Sequence, residues 1–142
     1  MDKSDRDKSE VQPEGQDYSW LAQVLNNYPG ALAWYLLGSA VTGTLRPDSD
    51  LDLAVLPWPG KAIDSVALVR WAGPLSLKIG RELDIGILDG SNLVYAKEAL
   101  WTGRLLYCAD EATERKRKAE LFALYLTFQE DRREVLNAYH AR

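Results

Sequence analysis

The sequence predicts an α/β fold, a sheet with helices packed on it. Two observations carry that reading. Apolar runs of strand length stand at residues 31–37, 51–56 and 82–88, with amphipathic stretches of helical period between and around them. The chain then closes in a long helical pattern from Asp110 to about Ala138. Its 142 residues suit one domain, and 46% hydrophobic residues, with five Trp and seven Tyr, can fill a real core.

Taken in order, residues 1–16 are rich in Asp, Lys, Ser and Glu and read as a disordered tail ahead of a domain over 17–142. Trp20, Leu21, Val24 and Leu25 recur at helical spacing, which predicts a helix from Tyr18 to Tyr28. Asp17 or Ser19 would cap it and Pro29-Gly30 would stop it. Ala31 to Leu37 is nearly all apolar, as in a strand buried on both faces. Gly38-Ser39 then opens a short turn or helix ending near Gly43, and Arg46-Pro47-Asp48 carries turn chemistry. Leu51 to Leu56 is the second strand, closed by Pro57-Trp58-Pro59-Gly60. Ala62 to about Gly80 is helical in pattern, and Gly73-Pro74 should kink or split it. Glu82 to Leu88 is the third strand, Asn92 to Trp101 a helix ended by Gly103, and Arg104 to Tyr107 a short fourth strand. On the last helix Leu121, Tyr125, Phe128, Val135 and Tyr139 form a near-heptad stripe that reads as core or a dimer seam, so a homo-oligomer is one expectation.

Composition excludes several classes. A net charge of −4 and a pI near 5.0 argue against a protein that coats nucleic acid. The single cysteine, Cys108, permits no internal disulfide, fits a reducing cytoplasm and reads as inert packing. No apolar run reaches the roughly 18 residues of a membrane span, and no signal-peptide pattern opens the chain. A cytoplasmic location is expected.

The chemistry gathers in one stretch. Gly38-Ser39 follows a strand, so backbone N–H groups and a hydroxyl are offered to a phosphate. Ten residues later come Asp50 and Asp52, separated by Leu51. Alternate strand residues share a face, so these carboxylates point one way while Leu51 and Leu53 point into the core. Such oxygen-rich, high-charge geometry suits Mg²⁺ that also carries substrate phosphates. Asp84 interrupts the apolar alternation of Leu83, Ile85 and Ile87. If its strand adjoins the second, three carboxylates converge, and two Mg²⁺ ions about 3.5–4 Å apart can serve an in-line nucleotidyl transfer. Asp84 would then face the incoming hydroxyl as general base. An unpaired carboxylate in an apolar strand costs several kcal/mol, an expense that function would explain.

Gly38-Ser39, the ten-residue gap, Asp50-Leu51-Asp52 and a later strand bearing Asp84 resemble the signature of the DNA polymerase β nucleotidyltransferase superfamily. The chain is similar to its minimal nucleotidyltransferases, and within them to MntA-type antitoxins that partner HEPN-domain toxins. The resemblance runs from about Trp20 to Tyr139, and takes in Gly103-Arg104-Leu105-Leu106-Tyr107 and the helix from Phe122 to Arg133. It implies a small mixed sheet flanked by helices, with a long C-terminal helix. It implies ATP as substrate, Mg²⁺ as cofactor, and transfer of AMP to a tyrosine of a HEPN ribonuclease toxin, which makes the chain an antitoxin. Position by position, it makes Gly38 and Ser39 nucleotide-binding, Asp50 and Asp52 metal ligands, and Asp84 the third catalytic carboxylate. One departure is Thr42, where many relatives carry Arg or Gln before the second Gly. A triphosphate contact is then missing, or comes from Arg46 or a later basic residue.

Other readings stand beside this one. The aspartates can be structural, and Ser39 can simply cap a helix. The chain can neutralise a toxin by covering it without chemistry, or modify a small molecule such as an antibiotic. Little chain remains after the tail to build a small-molecule acceptor pocket, which favours a macromolecular acceptor. Synthesis on tRNA or DNA is disfavoured by the acidic pI. Arg115 to Lys118 reads as a solvated basic face, Trp58 and Trp71 as packing, and His140 as a helix-end residue rather than half of a ribonuclease pair.

Overall fold

A computed structural model describes residues 18–141, so the expected tail and the Asp17 cap lie outside the described residues. Nine elements follow in order: α1 (Ser19–Leu25), β1 (Ala31–Leu36), α2 (Ser39–Thr42), β2 (Leu51–Pro57), α3 (Ser65–Ile79), β3 (Leu83–Ile87), α4 (Leu93–Thr102), β4 (Arg104–Cys108) and α5 (Glu111–His140). The four strands form one mixed sheet in the order β3-β2-β1-β4. β1 pairs antiparallel with β2 and with β4, while β2 and β3 run parallel through the crossover helix α3.

All six residues of β1 are buried, as its unbroken apolar run predicts for a central strand covered on both faces. On one face Trp34, Leu36, Leu53 and Val55 meet Leu21 and Leu25 of α1 and Leu68, Ala72 and Leu75 of α3. Trp71 stacks on Trp34 at 5.8 Å between ring centroids, so this tryptophan packs, as expected. On the other face Tyr35, Ala54 and Leu56 meet Ala96, Ala99 and Leu100 of α4 and Leu121 of α5. Each fully buried leucine contributes about 1.5–3 kcal/mol.

Several boundaries differ from expectation. α1 stops at Leu25, and its N-cap is Tyr18 with no side-chain cap, so Ser19 is helical rather than capping. α3 starts at Ser65 because the Asp64 carboxylate accepts from the Val66 and Ala67 amides. It then runs unbroken through Pro74. The helix tolerates the proline because Leu68, Ala72 and Leu75, on either side of it, are pinned to the sheet. The stripe on α5 reaches the core only at Leu121; Phe128, Val135 and Tyr139 are exposed. α5 packs against α4 and β1 in its first half, and nothing described lies beneath its second half. In the basic cluster Arg117 pairs with Glu120 and Lys118 with Glu114, while Arg115 and Lys116 are solvated. No helix among the described residues is long and apolar enough to cross a membrane.

Glu114 is the one buried charged residue among those described, 6% exposed beneath the sheet. The Tyr35 hydroxyl donates to its Oε2 at 2.5 Å, and Lys118 Nζ stands 3.7 Å from the same oxygen. Burial and the adjoining carboxylate push the Tyr35 phenol far above its ordinary value, so it stays a proton donor at any working pH. Tyr35→Phe should therefore cost about 1–3 kcal/mol by removing the one hydrogen-bond donor among the described residues within 3.5 Å of the buried Glu114 carboxylate and leaving it only the longer Lys118 pair, read from denaturant midpoints. Adding Glu114→Leu should recover most of the loss, because both polar partners are then gone.

Candidate active site

The site begins where β1 runs out. The Leu37 amide donates to Asp52 O at 2.9 Å, which holds the turn against β2. Gly38 then takes φ 65°, ψ −142°. A Cβ there would lie 2.7 Å from Asp52 Oδ2, so glycine is required twice, by the left-handed φ and by the carboxylate it faces. α2 follows as a single turn with Gly38 at its N-cap. Ser39 is therefore the first helical residue and does not cap it. Its carbonyl accepts from Thr44 N at 2.9 Å and from the Thr42 hydroxyl at 3.2 Å. The first amides of such a turn have no intrahelical acceptor.

Asp52 and Asp84 are register partners across the parallel β2–β3 pair. Neighbouring strands lie about 4.8 Å apart, so the two side chains leave the sheet side by side. Strand alternation puts both on the face covered by α4 and α5, opposite Leu51, Leu53, Leu83 and Ile85. Asp50 stands one residue before β2 and is exposed. Asp84 is exposed too, because β3 is the edge of the sheet. The expected cost of burying Asp84 thus falls on Asp52 instead. Asp52 is half-buried, and burial first, then the charges of Asp84 and Asp50, raise its carboxyl above the ordinary value.

Among the described residues no ion pair involves any of the three aspartates. No group of three or more His, Cys, Asp or Glu side chains there forms a full metal-ligand set. The donors nevertheless fit a hard divalent cation. The Asp52 and Asp84 carboxylates are held side by side without a protein cation, and Mg²⁺ takes one or two carboxylates plus water and substrate phosphate. Residues that the sequence did not single out support them. Arg81 Nη1 donates to Arg46 O at 2.7 Å and to Ser49 O at 2.8 Å, which fastens the loop leading into Asp50. The Leu51 amide donates to Glu82 O at 2.9 Å.

A cavity of about 540 Å³ opens over this face, lined by Leu37, Gly38, Asp52, Asp84, Gly86 and Tyr95, with Glu98 and Thr102 at its rim. A second groove of about 640 Å³ runs along the open edge of β3 beside α3 and shares Asp84, Gly86 and Tyr95 with the first. The Tyr95 ring covers Gly86, where a Cβ would overlap its hydroxyl. Burial, then the charges of Asp84 and Asp52, raise the Tyr95 phenol above its ordinary value. Periodicity alone marks Tyr95 as an ordinary residue of α4, which is why sequence reasoning passed it by.

The polymerase beta nucleotidyltransferase family model matches residues 20–112. No curated protein matches the chain in sequence. Among solved structures, the chain is similar to a toxin–antitoxin with AMP-PNP, at 22% identity over 86% of this chain and 96% of the other, TM-score 0.69. It is also similar to a toxin–antitoxin MntA–HepT structure, at 20% identity over 85% and 93%, TM-score 0.63. A third is a Shewanella oneidensis complex of a tri-AMPylated HEPN toxin with an MNT antitoxin, at 19% identity over 86% and 98%, TM-score 0.64. At these identities the similarity speaks for the fold.

Gly38→Ala should lower nucleotidyl transfer roughly a hundredfold or more by displacing Asp52 and the turn, with the melting temperature recorded beside the rate to separate misplacement from unfolding. A second expectation concerns pH. Because the folded-state carboxyl of Asp52 is raised, its stabilising contribution is complete below the ordinary value of 3.8 and is lost as pH rises through the raised value. Asp52→Asn should therefore raise the melting temperature of the metal-free chain at neutral pH. The gain should shrink as pH approaches 3.8 and also when Mg²⁺ is added to the parent chain.

Proposed function

Because the chain belongs to the polymerase beta nucleotidyltransferase family, we propose that it transfers AMP from ATP to a hydroxyl of a partner protein. The partner is a HEPN-type toxin, the acceptor is a tyrosine, and the chain is its cytoplasmic antitoxin. The observation that carries the chemistry is the Asp52–Asp84 pair, in register on adjacent strands and touched by the Gly38 turn. The partner class is supported by the similarity to an MNT antitoxin in complex with a tri-AMPylated HEPN toxin.

Each residue takes a part in order across the sheet. The amides and hydroxyl of Gly38-Ser39, at the end of β1, hold the β- and γ-phosphates. Asp50 and Asp52, with Asp84, hold Mg²⁺, which when bound neutralises the triphosphate and the departing pyrophosphate. The α-phosphate is thereby positioned over β2. The acceptor comes along the open edge of β3, where Asp84 receives its proton. The new bond joins the tyrosine oxygen to the α-phosphorus, and the bond from that phosphorus to the β-phosphate oxygen breaks. Little covalent chemistry is asked of the protein; positioning and charge do most of the catalysis.

The test is the intact mass of a purified HEPN-type partner after incubation with this chain, Mg²⁺ and ATP, beside the Asp50→Ala/Asp52→Ala double variant. The expected result is a gain of one or more AMP masses with the parent chain and none with the variant. An unchanged mass in a partner that still forms a tight complex would overturn transfer and leave a toxin-covering antitoxin.

A further inference from the structure

The acceptor side of the cavity already holds a hydroxyl of the class that the proposed reaction uses. Tyr95 lies in the first turn of α4, and its amide donates to the capping Asn92 Oδ1 at 3.2 Å. Its ring lies on Gly86, two residues beyond Asp84 on the same face of β3. Same-face neighbours on a strand stand about 6.6 Å apart, so the Tyr95 hydroxyl is within a side-chain length of the Asp84 carboxylate. Tyr95 and Asp84 line both the cavity and the groove. Among the described residues no hydrogen bond engages the Tyr95 hydroxyl, although the residue is half-buried. The other hydroxyl at the cavity, that of Thr102, is committed to Glu98 O at 2.8 Å.

Sheet order supplies the direction of attack. Gly38 follows β1, Asp52 is on β2 and Asp84 on β3, and these strands are consecutive. A triphosphate seated on the Gly38 turn sends its leaving pyrophosphate toward β1, and in-line displacement then requires the nucleophile on the β3 side. Tyr95 stands there.

We propose that Tyr95 is an intramolecular acceptor, so that the chain places AMP on its own Tyr95 when no partner fills the groove. The inference rests on the nucleotidyl-transfer reading above. The Tyr95 Oη–Pα bond forms, the bond from Pα to the β-phosphate oxygen breaks, pyrophosphate leaves, and the phenolic proton passes to Asp84. The product is a phosphodiester whose AMP occupies the cavity of about 540 Å³ and closes it to a second hydroxyl. A partner's tyrosine and Tyr95 thus compete for one place, and a chain without its partner switches itself off.

The experiment uses the full chain alone with Mg²⁺ and α-labelled ATP, followed by intact mass and peptide mapping. Binding of the α,β-methylene analogue of ATP is measured in parallel. The expected result is one AMP per chain, mapped to Tyr95, with a first-order rate constant unchanged by tenfold dilution. The adduct should be lost in Tyr95→Phe and kept in Tyr139→Phe, whose ring is 72% exposed on the outer half of α5. Mapping on the parent chain locates the adduct whatever the fold of the variants. An adduct elsewhere, a rate constant that scales with protein concentration, or no adduct in a chain that binds the analogue overturns self-transfer and leaves the proposed function standing. A chain that does not bind the analogue overturns both.

Discussion

Two like charges held side by side are the constraint around which the rest is arranged. Nothing local favours Asp52 beside Asp84; they repel, and one is half-buried. The pairing persists because the main chain leaves no choice. Five consecutive register pairs join β2 to β3, from Leu51↔Leu83 to Val55↔Ile87, and the leucines, isoleucines and valine of these strands commit the opposite face to the core. A one-residue slip of either strand would turn its aspartate into the leucine-rich core and its apolar set out of it. Hydrophobic burial on one face thus enforces electrostatic strain on the other, and a cation bound between the carboxylates would relieve that strain.

The Gly38 turn adds a second enforced approach. Antiparallel pairing of β1 with β2 carries the turn back to the start of β2, and the Leu37 amide bonds to Asp52 O. A donor-rich turn therefore abuts an acceptor-rich pair, an arrangement that suits a ligand carrying both anionic oxygens and a metal. Arg81 lends its charge to the carbonyls of Arg46 and Ser49 rather than to the carboxylates. The aspartates stay uncompensated by protein while their loop is held in place.

Much of this was legible in the sequence because it rests on period and spacing. Every strand and helix was expected within a few residues, since apolar alternation and helical spacing leave local marks. The shared face of the aspartates follows from the two-residue repeat. Three things were not legible, each because it is tertiary. Asp84 is exposed because β3 lies at the sheet edge, and strand order is not written in the strand itself. Pro74 sits inside a continuous helix because packing on the sheet outweighs one lost hydrogen bond. The stripe on α5 read as core or a dimer seam, and only Leu121 meets the sheet, because the helix outruns the domain it packs on. Tyr95 is a fourth. Its importance comes from Gly86 on another element, and no local pattern links the two.

An uncovered sheet edge is ordinarily a liability, because its free N–H and C=O groups invite other chains. Of the two edges, β3 and β4, the β3 edge lies next to Asp84, and the groove along it is walled by Leu68, Val69 and Ala72 of α3. β1, which leads into the Gly38 turn, is enclosed between β2 and β4. In the proposed reaction the turn after β1 grips the nucleotide tail, and the macromolecular hydroxyl arrives along the β3 edge. An enzyme acting on a diffusible small acceptor gains nothing from an apolar groove running away from its carboxylates. One acting on a protein needs a surface for the chain on which the hydroxyl is carried, and until that chain is seated the nearest hydroxyl is its own.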